Sequence, residues 1–154
     1  MVTIDALKRV EILIGLSNEQ LAGVATICQI KVFNAGDTIV REREPSSEIY
    51  IIKKGSAQVR LSGGRITAET LAAPGPQAII SLGQGQIFGE MALIDMGLRS
   101  ATVQCTADDT ELYVIRRDDF IHLCEQDTDI GYKVMRNLAA DLSFKLRHRN
   151  LSWT

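Results

Sequence analysis

Residues 88–103 read FGEMALIDMGLRSATV, a segment that sets one carboxylate and one guanidinium into apolar chain punctuated by glycine. Phe88 and Gly89 lead into Glu90, which precedes Met91, Ala92, Leu93 and Ile94; Arg99 precedes Ser100, Ala101, Thr102 and Val103. Charges in such company are costly to bury without partners. Two solutions are open: the two residues pair with each other, or they face a ligand carrying matching groups. For a ligand, the residue types have a definite chemistry. A glycine-bounded turn into a short helix, expected over 91–94, gathers backbone N–H groups around one point, which suits an anion. Arg99 adds a planar fork able to grip phosphate oxygens in pairs, and Ser100 a hydroxyl beside it. Glu90, an acceptor only when ionised, suits a sugar hydroxyl.

Outward from this segment, the chain is β-rich between residues 30 and 116. Short runs at 30–33, 38–41, 49–53, 57–61, 78–82, 101–105 and 111–116 alternate with glycine turns such as Asn34-Ala35-Gly36-Asp37, Lys54-Gly55-Ser56 and Gly83-Gln84-Gly85. That texture predicts an antiparallel β-jelly-roll barrel, a double-stranded β-helix, with a mobile loop over 65–76. Residues 1–29 read as helical. Leu7, Val10, Leu13 and Ile14 recur at helical spacing until Gly15, and Ser17 with Gln20 makes a capping box for a second helix striped by Leu21, Val24, Ala25 and Cys28. Residues 117–149 return to helix. Asp118 is expected to cap a short helix carrying Phe120 and Cys124. A long helix follows from near Thr128, with Asp127 and Asp129 at its start and Lys145, Arg147, His148 and Arg149 at its end, as the helix dipole favours. Its apolar stripe is Ile130, Val134, Leu138, Leu142 and Leu146, widened by Met135 and Ala139.

Composition bounds the rest. At 154 residues, 45% hydrophobic and 23% charged, the chain is expected to be a single domain spanning 1–154. A net charge of −2 argues against a surface built to hold nucleic acid or anionic lipid. The three cysteines, Cys28, Cys105 and Cys124, lack metal spacing and are expected to stay reduced. No apolar run has the length of a membrane span and no signal-peptide pattern opens the chain, so the expected compartment is cytoplasmic. A cupin-type metalloenzyme needs clustered barrel histidines, whereas His122 and His148 both fall in the C-terminal helical region. The expectation is therefore a non-enzymatic module with neither metal nor cofactor.

Phosphate, ribose and an enclosing barrel together describe a cyclic nucleotide, and residues 88–103 resemble the phosphate-binding cassette of the cyclic nucleotide-binding domains. These occur in catabolite activator protein, protein kinase A regulatory subunits and cyclic nucleotide-gated channels. The stretch AGDTIVREREPSSEIYIIKKGSAQV, residues 35–59, is similar to the family's early barrel strands, and the flanking helices also fit. The resemblance implies a sensor domain that passes ligand binding through its C-terminal helix to an output domain or partner. It implies a Glu90 contact to the ribose 2′-OH and an Arg99 contact to the cyclic phosphate, with Gly89, Ala92 and Ser100 supplying donors. Phe88, Met91 and Ala101 complete the expected ligand-binding set. The favoured ligand is cAMP, with cGMP the alternative, because members favouring cGMP often carry threonine where this chain has Ser100.

Three departures from the family pattern stand out. Gly97-Leu98 replaces a frequent proline, Glu44 is read as replacing a frequent glycine, and Lys145 and Leu146 stand where hydroxyl-bearing adenine contacts occur. Lys145 and Arg147 are instead candidates for a lid over the base. The long helix has two equal options for its apolar stripe, its own barrel or a homodimer partner. No nucleic acid is expected to bind this domain alone. The competing reading is a degenerate member that serves as a dimerisation or interaction module without nucleotide.

Overall fold

The computed structural model describes residues 3–45, 47–61, 78–95, 97–99 and 101–150. Eight strands appear there: β1 (Cys28–Phe33), β2 (Thr38–Val40), β3 (Glu48–Lys54), β4 (Ala57–Leu61), β5 (Ala78–Leu82), β6 (Ile87–Phe88), β7 (Thr102–Cys105) and β8 (Thr110–Arg116). They form two four-stranded sheets, ordered β1-β8-β3-β6 and β2-β7-β4-β5, with every strand pair antiparallel. This is the expected jelly roll. The helices are α1 (Ile4–Leu7), α2 (Asn18–Thr26), α3 (Arg117–Gln126) and α4 (Thr128–Asn150), with 3-10 turns at Glu11–Leu13 and Glu90–Leu93.

The runs Ile49-Tyr50-Ile51-Ile52 and Leu112-Tyr113-Val114-Ile115 lack polar alternation because β3 and β8 are buried on both faces. Ile49, Ile51, Tyr113 and Ile115 point to a core shared with the helices, which includes Leu7, Leu13, Phe120, Val134 and Leu138. Tyr50, Ile52, Leu112 and Val114 point into the barrel, against Val40, Phe88 and Val103. One sheet thus separates two cores.

Local signals behave as expected in several places. Ser17 Oγ accepts from the Gln20 N–H at 3.1 Å while Gln20 Oε1 accepts from the Ser17 N–H at 2.9 Å. Gly15 ends the first segment at φ 92°. Asp127 Oδ1 accepts from the N–H groups of Asp129 and Ile130 at the start of α4. Asn137 Nδ2 donates to the carbonyls of Ile12 and Ile14, lashing α4 to the N-terminal turn.

Other expectations are corrected. The barrel begins at Cys28 rather than residue 30: Cys28 pairs with Ile115 as the first residue of β1, although its thiol still donates back to the Val24 carbonyl. Ile14 lies beyond the 3-10 turn and is 58% exposed. Asp118 does not cap α3. The helix starts from Arg116 with no side-chain cap, and Asp118, inside the first turn, pairs with Arg117. The short strand that leads into the cassette, Ile87–Phe88, pairs with β3 and is too short to show a period of its own. On α4 the buried stripe is Ile130, Val134 and Leu138; Leu146 and Met135 are exposed, because α4 packs chiefly on α3 and the Glu11–Leu13 turn. The loop expected over 65–76 lies outside the described residues.

Tyr113 carries a testable cost. It is 1% exposed, and its hydroxyl has no hydrogen-bond partner among the described residues. An unsatisfied buried hydroxyl costs about 1–3 kcal/mol, so Tyr113→Phe is expected to gain about 1 kcal/mol. For a chain of this size that raises the melting temperature by about 3 °C. A lowered melting temperature in calorimetry would show that the hydroxyl has a partner after all.

Candidate functional site

The cassette begins where β6 runs out of the sheet. Gly89 takes a left-handed conformation, φ 78°, and turns the chain into the 3-10 helix Glu90–Leu93, a tighter and slightly earlier element than the helix expected over 91–94. Ala92 is buried and its N–H closes this turn on the Gly89 carbonyl at 3.2 Å. Met91 remains 42% exposed. Glu90 and Arg99 are both buried, at 8% and 9% exposed, so the opening puzzle of the sequence is real in three dimensions.

Arg99 is held by main chain and by an aromatic face. Its Nη2 donates to the Glu48 carbonyl at 2.7 Å, and Nη1 makes a long bond to the Gly89 carbonyl at 3.5 Å. Its guanidinium carbon lies 5.8 Å from the centre of the Tyr50 ring, within cation–π range. Tyr50 stacks in turn on Phe88, with ring centres 4.9 Å apart and planes 12° from parallel. Phe88, which opens the cassette, and Arg99, in its second half, are therefore both packed on one residue of β3. The Tyr50 hydroxyl donates to Glu48 Oε1 at 3.1 Å. Burial, reinforced by the Glu48 carboxylate, pushes the Tyr50 phenol up to about 12, so the hydroxyl keeps its proton and goes on donating.

Gly89 is needed twice over. Besides its φ, a Cβ there would stand 2.7 Å from Arg99 Nη1 and 3.1 Å from the Glu48 carbonyl. The far end of the cassette is clasped by the loop joining β2 to β3. The Arg99 N–H donates to the Glu44 carbonyl at 2.7 Å, the Arg43 N–H to the Arg99 carbonyl at 2.8 Å, and Pro45 bridges Leu98. Reversing the chain for this exchange puts Arg43 at φ 71°, a conformation that suits glycine. The left-handed position in this loop is therefore Arg43, next to Glu44.

Phe88, Gly89, Glu90, Met91, Ala92, Arg99 and the buried Ala101 thus sit on one continuous segment. Ser100 and the Lys145 side chain lie outside the described residues. Arg147 is exposed on the last turns of α4, and no hydrogen bond or ion pair among the described residues ties it to the cassette. Sequence reasoning missed Tyr50, Glu48 and Arg43. Tyr50 carried a faint signal, as a polar-tipped aromatic within the aliphatic run Ile49–Ile52.

The profile of the cyclic nucleotide-binding domain family matches residues 30–127, and the chain belongs to that family. Human cGMP-dependent protein kinase 2 is 32% identical over 114 residues, covering 74% of this chain; the chain spans only 14% of the kinase. Among solved structures, the catabolite activator protein of Thermus thermophilus superposes with a TM-score of 0.74 at 28% identity, covering 93% of this chain and 61% of that one. The regulatory domain of Toxoplasma gondii PKA, crystallised with cAMP, gives 0.73 at 27% identity over 91% of this chain and 48% of its own.

The left-handed arginine yields a prediction. A non-glycine residue in this region costs roughly 1–2 kcal/mol, partly offset by the extra unfolded-state freedom of glycine. Arg43→Gly is therefore expected to stabilise the domain by about 0.5–1 kcal/mol in urea denaturation. Destabilisation would mean that the Arg43 side chain makes contacts worth more than the strain.

Proposed function

We propose that the domain binds a 3′,5′-cyclic nucleotide in the cassette, with Arg99 on the cyclic phosphate and Glu90 on the ribose 2′-OH. The observation that carries this reading is the environment of Arg99. A guanidinium cannot give up its proton, and the hydrogen bonds that hold this one among the described residues go to main-chain carbonyls, which orient the charge without neutralising it. A buried, oriented positive charge beside a glycine turn suits a phosphate diester.

The test is thermal. A ligand at a hundredfold excess over its dissociation constant adds ~2.7 kcal/mol, a rise of about 5–10 °C here. Arg99→Ala is expected to abolish that rise. It should also lower the baseline melting temperature, since the Tyr50 and Glu48 contacts go with it. An Arg99→Ala protein that retains the full nucleotide shift would move the phosphate site elsewhere. No shift with millimolar cAMP or cGMP in the native protein would favour an interaction module without ligand.

Our reading of the ligand is cAMP over cGMP, supported by Ser100 in place of the threonine frequent in cGMP-preferring members. Relatives named for each nucleotide occur at similar identity, for example human cGMP-dependent protein kinase 2 and the cyclic AMP receptor protein of Thermus thermophilus. Competition of both nucleotides against a fluorescent cAMP analogue is expected to rank cAMP first; the reverse order overturns the preference.

Signal output is assigned to α4. Its exposed Tyr132, Met135 and Leu146 give an apolar surface on which the helix can re-pack, or meet a second copy, when the cassette is filled. Lys145 and Arg147, near its end, are the proposed base lid.

A further inference from the structure

Arg117 is out of place by the usual rule for helix ends. As the first residue of α3, directly after Arg116, it puts a second positive charge at the positive pole of a helix dipole. Something outside the helix must favour it. Its side chain is only 18% exposed, and Nε donates to the Ala92 carbonyl at 2.6 Å, inside the cassette turn Glu90–Leu93. Carbonyls in the last turn of a helix lack intrahelical partners, so this guanidinium satisfies one of them with a short charge-assisted bond. Its Nη1 pairs with Asp118 at 3.1 Å, which steadies the fork. Its own N–H donates to the Ser47 carbonyl at 2.9 Å, just before β3. One residue thus bonds to the cassette, to the approach to β3 and to the base of the C-terminal helices. Beside it, Leu93 packs into the helix-side core with Phe120, Ile130 and Val134.

We infer that Arg117 is a positioning residue, a strut between the Ala92 carbonyl and α3 through which the cassette turn and the C-terminal helices take their places together. Lysine cannot substitute, because its point charge lacks the Nε donor that reaches Ala92 while Nη1 holds Asp118. This inference rests on the nucleotide-binding reading, and the experiment separates the two. Amide hydrogen exchange is followed with and without cAMP in the native protein, Arg117→Met, Arg117→Lys and Val59→Ala. The last variant loosens β4, far in sequence from the strut, and controls for stability alone.

In the native protein, cAMP is expected to change protection in both the cassette and residues 128–144. In Arg117→Met the cassette response should persist while the helix response is lost. The affinity for cAMP should also change about tenfold, within the usual range of coupling factors. Arg117→Lys, the variant more certain to fold, should restore less than half of the helix response, and Val59→Ala should keep all of it. A helix response in Arg117→Met equal to the native one overturns the strut alone, as does its loss in Val59→Ala. A native protein that responds to neither cAMP nor cGMP overturns the nucleotide reading, and the strut with it.

Discussion

The guanidinium of Arg99 is the constraint around which this end of the barrel is organised. Its charge is permanent, so burying it to 9% exposure obliges the chain to bring acceptors and a polarisable surface to it. The Glu48 and Gly89 carbonyls are the acceptors, and the Tyr50 ring is the surface. Each provision has a sequence consequence. Residue 89 favours glycine, because its backbone is left-handed and a Cβ would press on the Glu48 carbonyl and the guanidinium. The loop before β3 must cross the cassette to trade main-chain bonds with Arg99, and Arg43 absorbs the left-handed turn that this crossing requires.

The two-sided burial of β3 and β8 gives the site its reach. Phe88 packs on the barrel side of that sheet, whereas Leu93, five residues later in the same cassette, packs on the helix side with Phe120 and Val134. The Glu90–Leu93 turn therefore passes between two close-packed cores. Such cores accept discrete rearrangements more readily than gradual deformation, which is the physical basis of the proposal that a displacement of the cassette reaches the helical face. The polar tie between Arg117 and the Ala92 carbonyl lies along the same route.

Several features were legible in the sequence because they depend on residues close together in the chain. The capping box of Ser17 and Gln20 spans three residues, and the glycine turns follow from backbone sterics. The cassette was legible because glycine, a carboxylate and an arginine in apolar company have few structural uses. The errors arose where a local signal met a stronger distant one. Cys28 continues the apolar spacing of α2, yet six ladder pairs with β8 claim it and its neighbours for β1. Asp118 is a good capping residue, but the chain leaves β8 with Arg116 already in the capping position.

By itself, the sequence determined the kind of barrel, the helices at both ends and the segment that carries the chemistry, since periodicity, turn residues and capping act over a few positions. Only the tertiary structure decided how that segment is held. The Arg99–Glu48 bond joins residues 51 positions apart and the Arg117–Ala92 bond residues 25 apart. Neither has a local signature, because the worth of a guanidinium donor depends on which carbonyl the fold delivers to it, and that is settled by the packing of β3, the cassette and α3 against one another.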